Sequence, residues 1–238
     1  MADMVSVILA KALAGSVPGT GSGTDFELLE RVGELEKQVG DILYEEISIT
    51  SFTHNIGTKE RDETVTEVKL SWALNKDPKA LKLDGETLTA AKTGSKTFSG
   101  LSITAANAGS VKWTLSATDE RDKVVTKQSP GFTFLNCVYY GAAAQPDAIS
   151  DAFIKALGAK TSPTNTRARS ITVDGGGNYI WYCLPVNLGT CSFKSSGFEF
   201  DMRAPERHSF TNALGYKEDY YVYRSTNPID ITMKVEVS

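Results

Sequence analysis

The spacing of apolar residues changes character along this chain. Between residues 28 and 42 the apolar positions Leu28, Val32, Leu35, Val39 and Ile42 are separated by four, three, four and three residues. That mean repeat of three and a half is the a/d seam of a coiled coil. Thr24 stands where an N-cap is needed and Glu27 lies three residues on, a capping-box pair that predicts a helix over 24–45. Gly33 and Gly40 fall at the outward b position, while Arg31 at g and Glu36 at the next e can pair across parallel chains. A lone helix of this length is marginal in water, so its stripe needs a partner. The partner is either the chain's own domain or sister chains, and the period favours sister chains.

From Ile47 onward the period falls to two. Ile47, Ile49 and Phe52 alternate with Ser and Thr, and Thr64–Leu74 alternates around Val65, Trp72 and Leu74. Short strands are predicted at Ala80–Leu83, Lys96–Phe98, Leu101–Ala105, Ser110–Ala117, Lys123–Lys127 and Phe132–Tyr140, with Asp84-Gly85 a hairpin signal. About seven short strands within some ninety residues, one carrying a central Trp, predict an immunoglobulin-like sandwich over 46–140 that rests on packing rather than a disulfide. The segment Pro146–Gly158 predicts a helix with Ile149, Phe153 and Leu157 on one face and Gly158 as its stop. Strands follow at Ser170–Val173, Tyr179–Leu184, Cys191–Phe193, Phe198–Met202, Tyr220–Tyr223 and Ile229–Val237, giving a second β-rich domain over 141–238 with one short helix. The expected fold class is mainly β.

Ahead of the helix, Gly15–Gly23 is rich in Gly, Ser and Pro and reads as a flexible tether. Before it, Val5, Ile8 and Leu13 line one side of a short apolar segment that has no local core to enter. Residues 1–23 therefore read as a docking peptide plus tether. The first residues resemble a secretion signal, but Asp3 stands where basic residues belong and Lys11 interrupts the apolar run, so no signal peptide is expected.

Composition narrows the function. A net charge of −4 argues against nucleic acid as a partner, and no apolar run approaches the roughly 18–20 residues that would span a bilayer. Cys137, Cys183 and Cys191 are an odd number for a disulfide framework; Cys183 and Cys191 could face each other across a hairpin, but free, half-buried thiols in a reducing compartment are the preferred reading. His54 and His208 are too far apart for zinc-ligand spacing, and no metal or cofactor is expected. Gly175-Gly-Gly lacks the Gly-Lys-Ser/Thr and the following helix of a phosphate loop, so it reads as a hairpin turn. Asp119-Glu-Arg-Asp122 reads as a solvated turn. Asp201 and Glu206 beside His208 sit in a polar loop without a nucleophile, so no catalytic residues and no enzyme activity are expected. Aromatics at alternate strand positions normally fill a core. Exposed instead, Trp181, Tyr182 and Tyr221 would form a platform for stacking on sugars, and they are the candidate ligand contacts.

Leu70-Ser-Trp-Ala-Leu-Asn-Lys76, Leu83-Asp-Gly85, Thr114–Glu120 and Phe134–Gly141 resemble an immunoglobulin-like module of tailed-bacteriophage virion proteins. Tyr179–Pro185, Gly197-Phe198 and Tyr220–Ser225 resemble the β-domain that often follows it in tail, baseplate and fibre proteins. The resemblance spans roughly Ile47 to Ser238. It implies a structural role without cofactor in a virion assembled in the bacterial cytoplasm. Three-fold association, docking onto capsid, neck or baseplate proteins and contact with host-surface glycans are implied with it. A capsid head fibre or decoration protein and a bacterial surface adhesin are the alternatives, and the seam itself leaves dimer and trimer open.

Overall fold

A computed structural model of the chain describes residues 23–238. Contacts divide the chain into two compact units, the second being Ser48–Ser238. In the first, helix α1 (Gly23–Leu43) occupies the predicted segment, and Thr24 falls within its first turn rather than ahead of it. Gly33 and Gly40 have nothing within 4 Å of where a Cβ would stand, as outward positions should.

The second unit is mainly β. Strand β1 (Ile49–His54) pairs antiparallel with β3 (Val65–Leu74), and β3 with β6 (Thr93–Ile103), giving the order β1-β3-β6. The sequence suggested two strands at 96–98 and 101–105. They are one long strand, in which Gly100 takes a positive φ of 72° that glycine adopts without steric penalty. A four-stranded sheet runs in the order β5 (Glu86–Leu88), β4 (Ala80–Leu83), β7 (Thr114–Thr118), β8 (Val124–Gln128). Asp84 and Gly85, both at positive φ, make the two-residue β4–β5 turn. Alternate residues Val68, Leu70, Trp72 and Leu74 of β3, Leu81 and Leu83 of β4, and Leu115 and Ala117 of β7 are buried, so period-two patterning lines this half's core. The rings of Phe98 on β6 and Trp113 before β7 meet with centroids 5.3 Å apart.

The remainder forms three layers. A five-stranded antiparallel sheet has the order β11 (Ala159–Lys160), β10 (Tyr139–Ala143), β13 (Tyr179–Pro185), β17 (Lys217–Arg224), β16 (Glu206–Thr211). On one face Ile180, Tyr182 and Leu184 of β13 pack with residues of a second sheet, ordered β12 (Arg169–Asp174), β18 (Thr232–Val237), β14 (Phe193–Ser195), β15 (Phe198–Glu199). On the other, Trp181 and Cys183 pack with Ile154 and Leu157 of the α2 region (helix Asp151–Ala156), Phe210 of β16 and Tyr220 and Val222 of β17. A strand covered on both faces has no polar side to alternate with, which is why Tyr179–Leu184 reads as one apolar run. Helix α2 is shorter than the predicted 146–158 because Ser150 caps it, its Oγ accepting from the Phe153 amide at 3.1 Å. The expected boundary at 140/141 falls inside β10. Just before it, the short parallel pair β2 (Lys59–Glu60) and β9 (Phe134–Leu135) brings the early part of the chain to this sheet.

Candidate functional site: the helical stripe and two polar clusters

The seam residues of α1 keep their apolar surface. Leu28 is 58% exposed, Leu35 57%, Val39 52% and Ile42 80%, with Val32 half-buried. Leu29 and Leu43 add to this exposed apolar surface. Isolated exposed leucines are ordinary; here they recur in a periodic row along one helix. Val5, Ile8 and Leu13, expected to dock the chain, lie outside the described residues.

The aromatic platform is corrected. Trp181 is 2% exposed and Tyr182 0%, so neither offers a ring face to a ligand. Trp181 packs edge-on to Phe153 at 4.7 Å and its indole N–H donates to the Ala143 carbonyl, while Tyr182 meets Phe193 at 5.5 Å and donates its hydroxyl to the Arg167 carbonyl. Both are core residues because both faces of β13 are covered. Tyr221 stays partly exposed on β17, with the Arg207 guanidinium 5.9 Å above its ring.

The segment around His208 is not a loop but the edge strand β16, in register with β17. Neither Asp201 nor Glu206 is seen to hold the imidazole; its Nε2 lies 2.8 Å from Asp151 Oδ1 at the start of α2. Burial opposes ionisation of Asp151, but hydrogen bonds from His208 and Thr211 outweigh it and hold its carboxyl below the usual range. The pair ties α2 to the sheet edge. Sequence separation of 57 residues hid it.

A second polar cluster surrounds Glu60, a buried carboxylate on β2. Lys160 of β11 donates to Oε2 at 2.7 Å, the Tyr139 hydroxyl lies 3.4 Å from Oε1, and the Asn212 amide lies 3.5 Å from Oε1 and donates to the Arg61 carbonyl at 3.0 Å. The hydrogen bond to Glu60 raises the pKa of Lys160 against the opposing effect of burial. Burial first, then the Glu60 charge, pushes the Cys137 thiol up to about 12. Such a cluster locks β2 to the five-stranded sheet. A nucleophile activated by a base would need the opposite shift, and Cys137 is buried.

The three cysteines are free. Cys183 belongs to the α2 side of the five-stranded sheet and Cys191 packs on the other side, so the hairpin pairing is closed to them. Asp119-Glu-Arg-Asp122 is a turn, but not the fully solvated one expected: Asp119 is buried, and its Oδ1 accepts from the amides of Arg121 and Lys123 at 2.9 Å. Gly175-Gly-Gly links β12 to β13, with Gly176 and Gly177 at positive φ. Among the described residues no cluster of three His, Cys, Asp or Glu side chains could hold a metal, and no helix is long and apolar enough to cross a membrane.

No protein-family model matches the chain, and no curated protein matches it. Among solved structures it is similar to one titled "Crystal Structure of Rst D1-D2", at 8% identity and a TM-score of 0.26 over 82% of this chain and 92% of that one. A likeness that weak carries no argument.

Proposed function

We propose that this protein is a structural component of a tailed-phage virion, a self-associating appendage whose β-rich part projects from a coiled-coil stem. One observation carries the reading: the heptad-spaced row Leu28, Leu35, Val39 and Ile42 is more than half exposed in the single chain. Burying such a row between sister helices recovers about 25 cal/mol per Å² of apolar surface, whereas leaving it in water recovers nothing. Arg31 and Glu36 then meet across parallel chains.

The sheet connectivity supports the finer fold reading. A three-stranded sheet β1-β3-β6 with a four-stranded sheet β5-β4-β7-β8 is the division of strands expected of an immunoglobulin-like or fibronectin-like sandwich. The sequence segments that resemble phage virion modules lie on β3, β4 and β7 of these sheets and on β9, β10, β13, β15 and β17. Docking through Val5, Ile8 and Leu13 onto a capsid, neck or baseplate protein, and weak glycan contact multiplied by avidity, complete the reading.

Mass measurement of the purified chain tests it. Three-fold mass is expected, falling to one-fold in a Leu35→Asp/Ile42→Asp variant whose β-sheet circular dichroism is unchanged. A wild-type chain of single mass at micromolar concentration would overturn the reading. Deleting residues 1–23 should leave the oligomer whole and abolish its incorporation into particles.

A further inference from the structure

We infer that the free edge of β6 pairs antiparallel with the same edge of a second copy of the chain, as a side-to-side contact between neighbouring appendages. The pairing goes beyond the coiled-coil reading and uses none of its residues.

Strand β6 is 11 residues long and stands at the end of the order β1-β3-β6, so β3 occupies only one of its two edges. One contact fixes which backbone groups are left over. The Leu74 amide donates to the Lys92 carbonyl at 2.8 Å, continuing the register in which Ala73 faces Thr93 and Trp72 faces Gly94. Bonded and non-bonded pairs alternate along an antiparallel ladder. Gly94, Lys96 and Phe98 therefore bond to β3, and the amides and carbonyls of Thr93, Ser95, Thr97 and Ser99 point away from it. No described residue partners these outward backbone groups. The side chains at all four positions are exposed and uncharged. A long uncharged edge is the kind that takes up another strand. The edge strand β16, by contrast, is shorter and carries Glu206 and Arg207, and Asp151 accepts from the Thr211 amide at its end.

Charge sets the register and with it the occupant. Lys96 is the one charged side chain of β6. Centring the pair on Lys96 would set it against Lys96 of the second copy, a like-charge contact. Centring it on Ser95 sets Lys96 against Gly94 of the second copy, which has no side chain to meet it, and Lys96 keeps its own Glu86 at 2.5 Å. Thr93 then faces Thr97 and Ser95 faces Ser95, cross-strand pairs that stabilise a sheet. All three residues present outward backbone groups, so each facing pair exchanges two hydrogen bonds. Thr93-Gly-Ser-Lys-Thr97 is thus its own complement, which selects a second copy over an unrelated peptide. Beyond Ser99 the positive φ of Gly100 ends the regular run. So short a contact falls well below the roughly 20–30 residues a side of a stable interface. It forms at the local concentration of appendages crowded on one particle and not in dilute solution.

Amide hydrogen exchange read by NMR tests the pairing on the full chain carrying Leu35→Asp/Ile42→Asp, so that the stem makes no contribution. Between micromolar and millimolar concentration, the amides of Thr93, Ser95 and Thr97 are expected to gain protection. Those of Gly94 and Lys96, already bonded to β3, should keep the protection they have. Ser95→Pro removes a donor that β3 does not use, a change an edge strand tolerates, and should abolish the gain. Thr93→Lys/Thr97→Lys sets like charges opposite each other on an exposed face and should abolish it as well, which keeps the test decisive if the proline variant misfolds. No gain at millimolar concentration, or a gain that survives Thr93→Lys/Thr97→Lys, overturns the pairing. Wild-type mass at micromolar concentration decides the stem and the exchange pattern decides the edge, so either can fail alone.

Discussion

Glu60 is the residue on which the two β-rich regions converge. It is buried, and the Lys160 that neutralises it is 44% exposed along its side chain. Removing the two partners therefore has unequal effects. Lys160→Met leaves a buried carboxylate without its cation and should cost about 3 kcal/mol. Glu60→Gln leaves Lys160 free to hydrate and keeps an acceptor for Tyr139, so about 1 kcal/mol is expected. Urea unfolding of both variants checks the order. Protonation tells the same story at two ends of the pH scale. The folded pKa of Lys160 is raised, so its contribution is whole below its unfolded value near 10.4 and fades as pH rises through the folded value. That of Asp151 is lowered, so its contribution is present above about 3.9 and fades as pH falls through the folded value. Asp151→Asn should accordingly be less stable than wild type at neutral pH and converge with it in acid. Thiol reactivity follows burial: Cys137 and Cys183 should react with a disulfide reagent only in denaturant. Cys191, half-buried and pushed up to about 11, should react slowly in the native chain.

Among the elements, α1 carries a row of exposed apolar residues, Leu28, Leu35, Val39 and Ile42. Gly33 and Gly40 lie away from the seam with free space around them, so Ala at each should stabilise the helix by about 1 kcal/mol. Thermal melting followed by far-ultraviolet circular dichroism would record it as a later loss of helix signal with no change in oligomer mass. Gly175 makes the opposite case. A Cβ there would stand 2.0 Å from the Ile229 carbonyl oxygen, a backbone atom that cannot swing aside. Gly175→Ala should destabilise by roughly 2 kcal/mol in urea unfolding, though its composition looks like that of any flexible loop.

At the scale of the molecule, the region Ser48–Ser238 behaves as one contact unit. The β2–β9 pair, the Glu60 cluster and the continuous strand β10 link what the strand pattern suggested as two domains. Tryptophan fluorescence and far-ultraviolet circular dichroism should therefore report one coincident unfolding transition for this region. Two separated transitions would mean that the linking contacts are weaker than their geometry implies. Trp72 and Trp113 report the first half and Trp181 the second, so the probes cover both.

Local chemistry was legible without coordinates. The helical period of α1, the alternation in β3, the Asp84-Gly85 turn and the turn at Asp119 are patterns of residues a few positions apart, so they could be read along the chain. Everything that depends on which face a side chain meets was decided by the tertiary structure. Trp181 and Tyr182 read as a platform or a core until a sheet covered one side of β13 and α2 the other. The polar Glu206–Thr211 became a strand because β17 offered it an edge. Glu60 meets Lys160 across 100 residues and Asn212 across 152, and Asp151 finds His208 across 57. Periodicity says which residues are apolar and how often, but burial is a property of two surfaces brought together, and only the folded chain says which two.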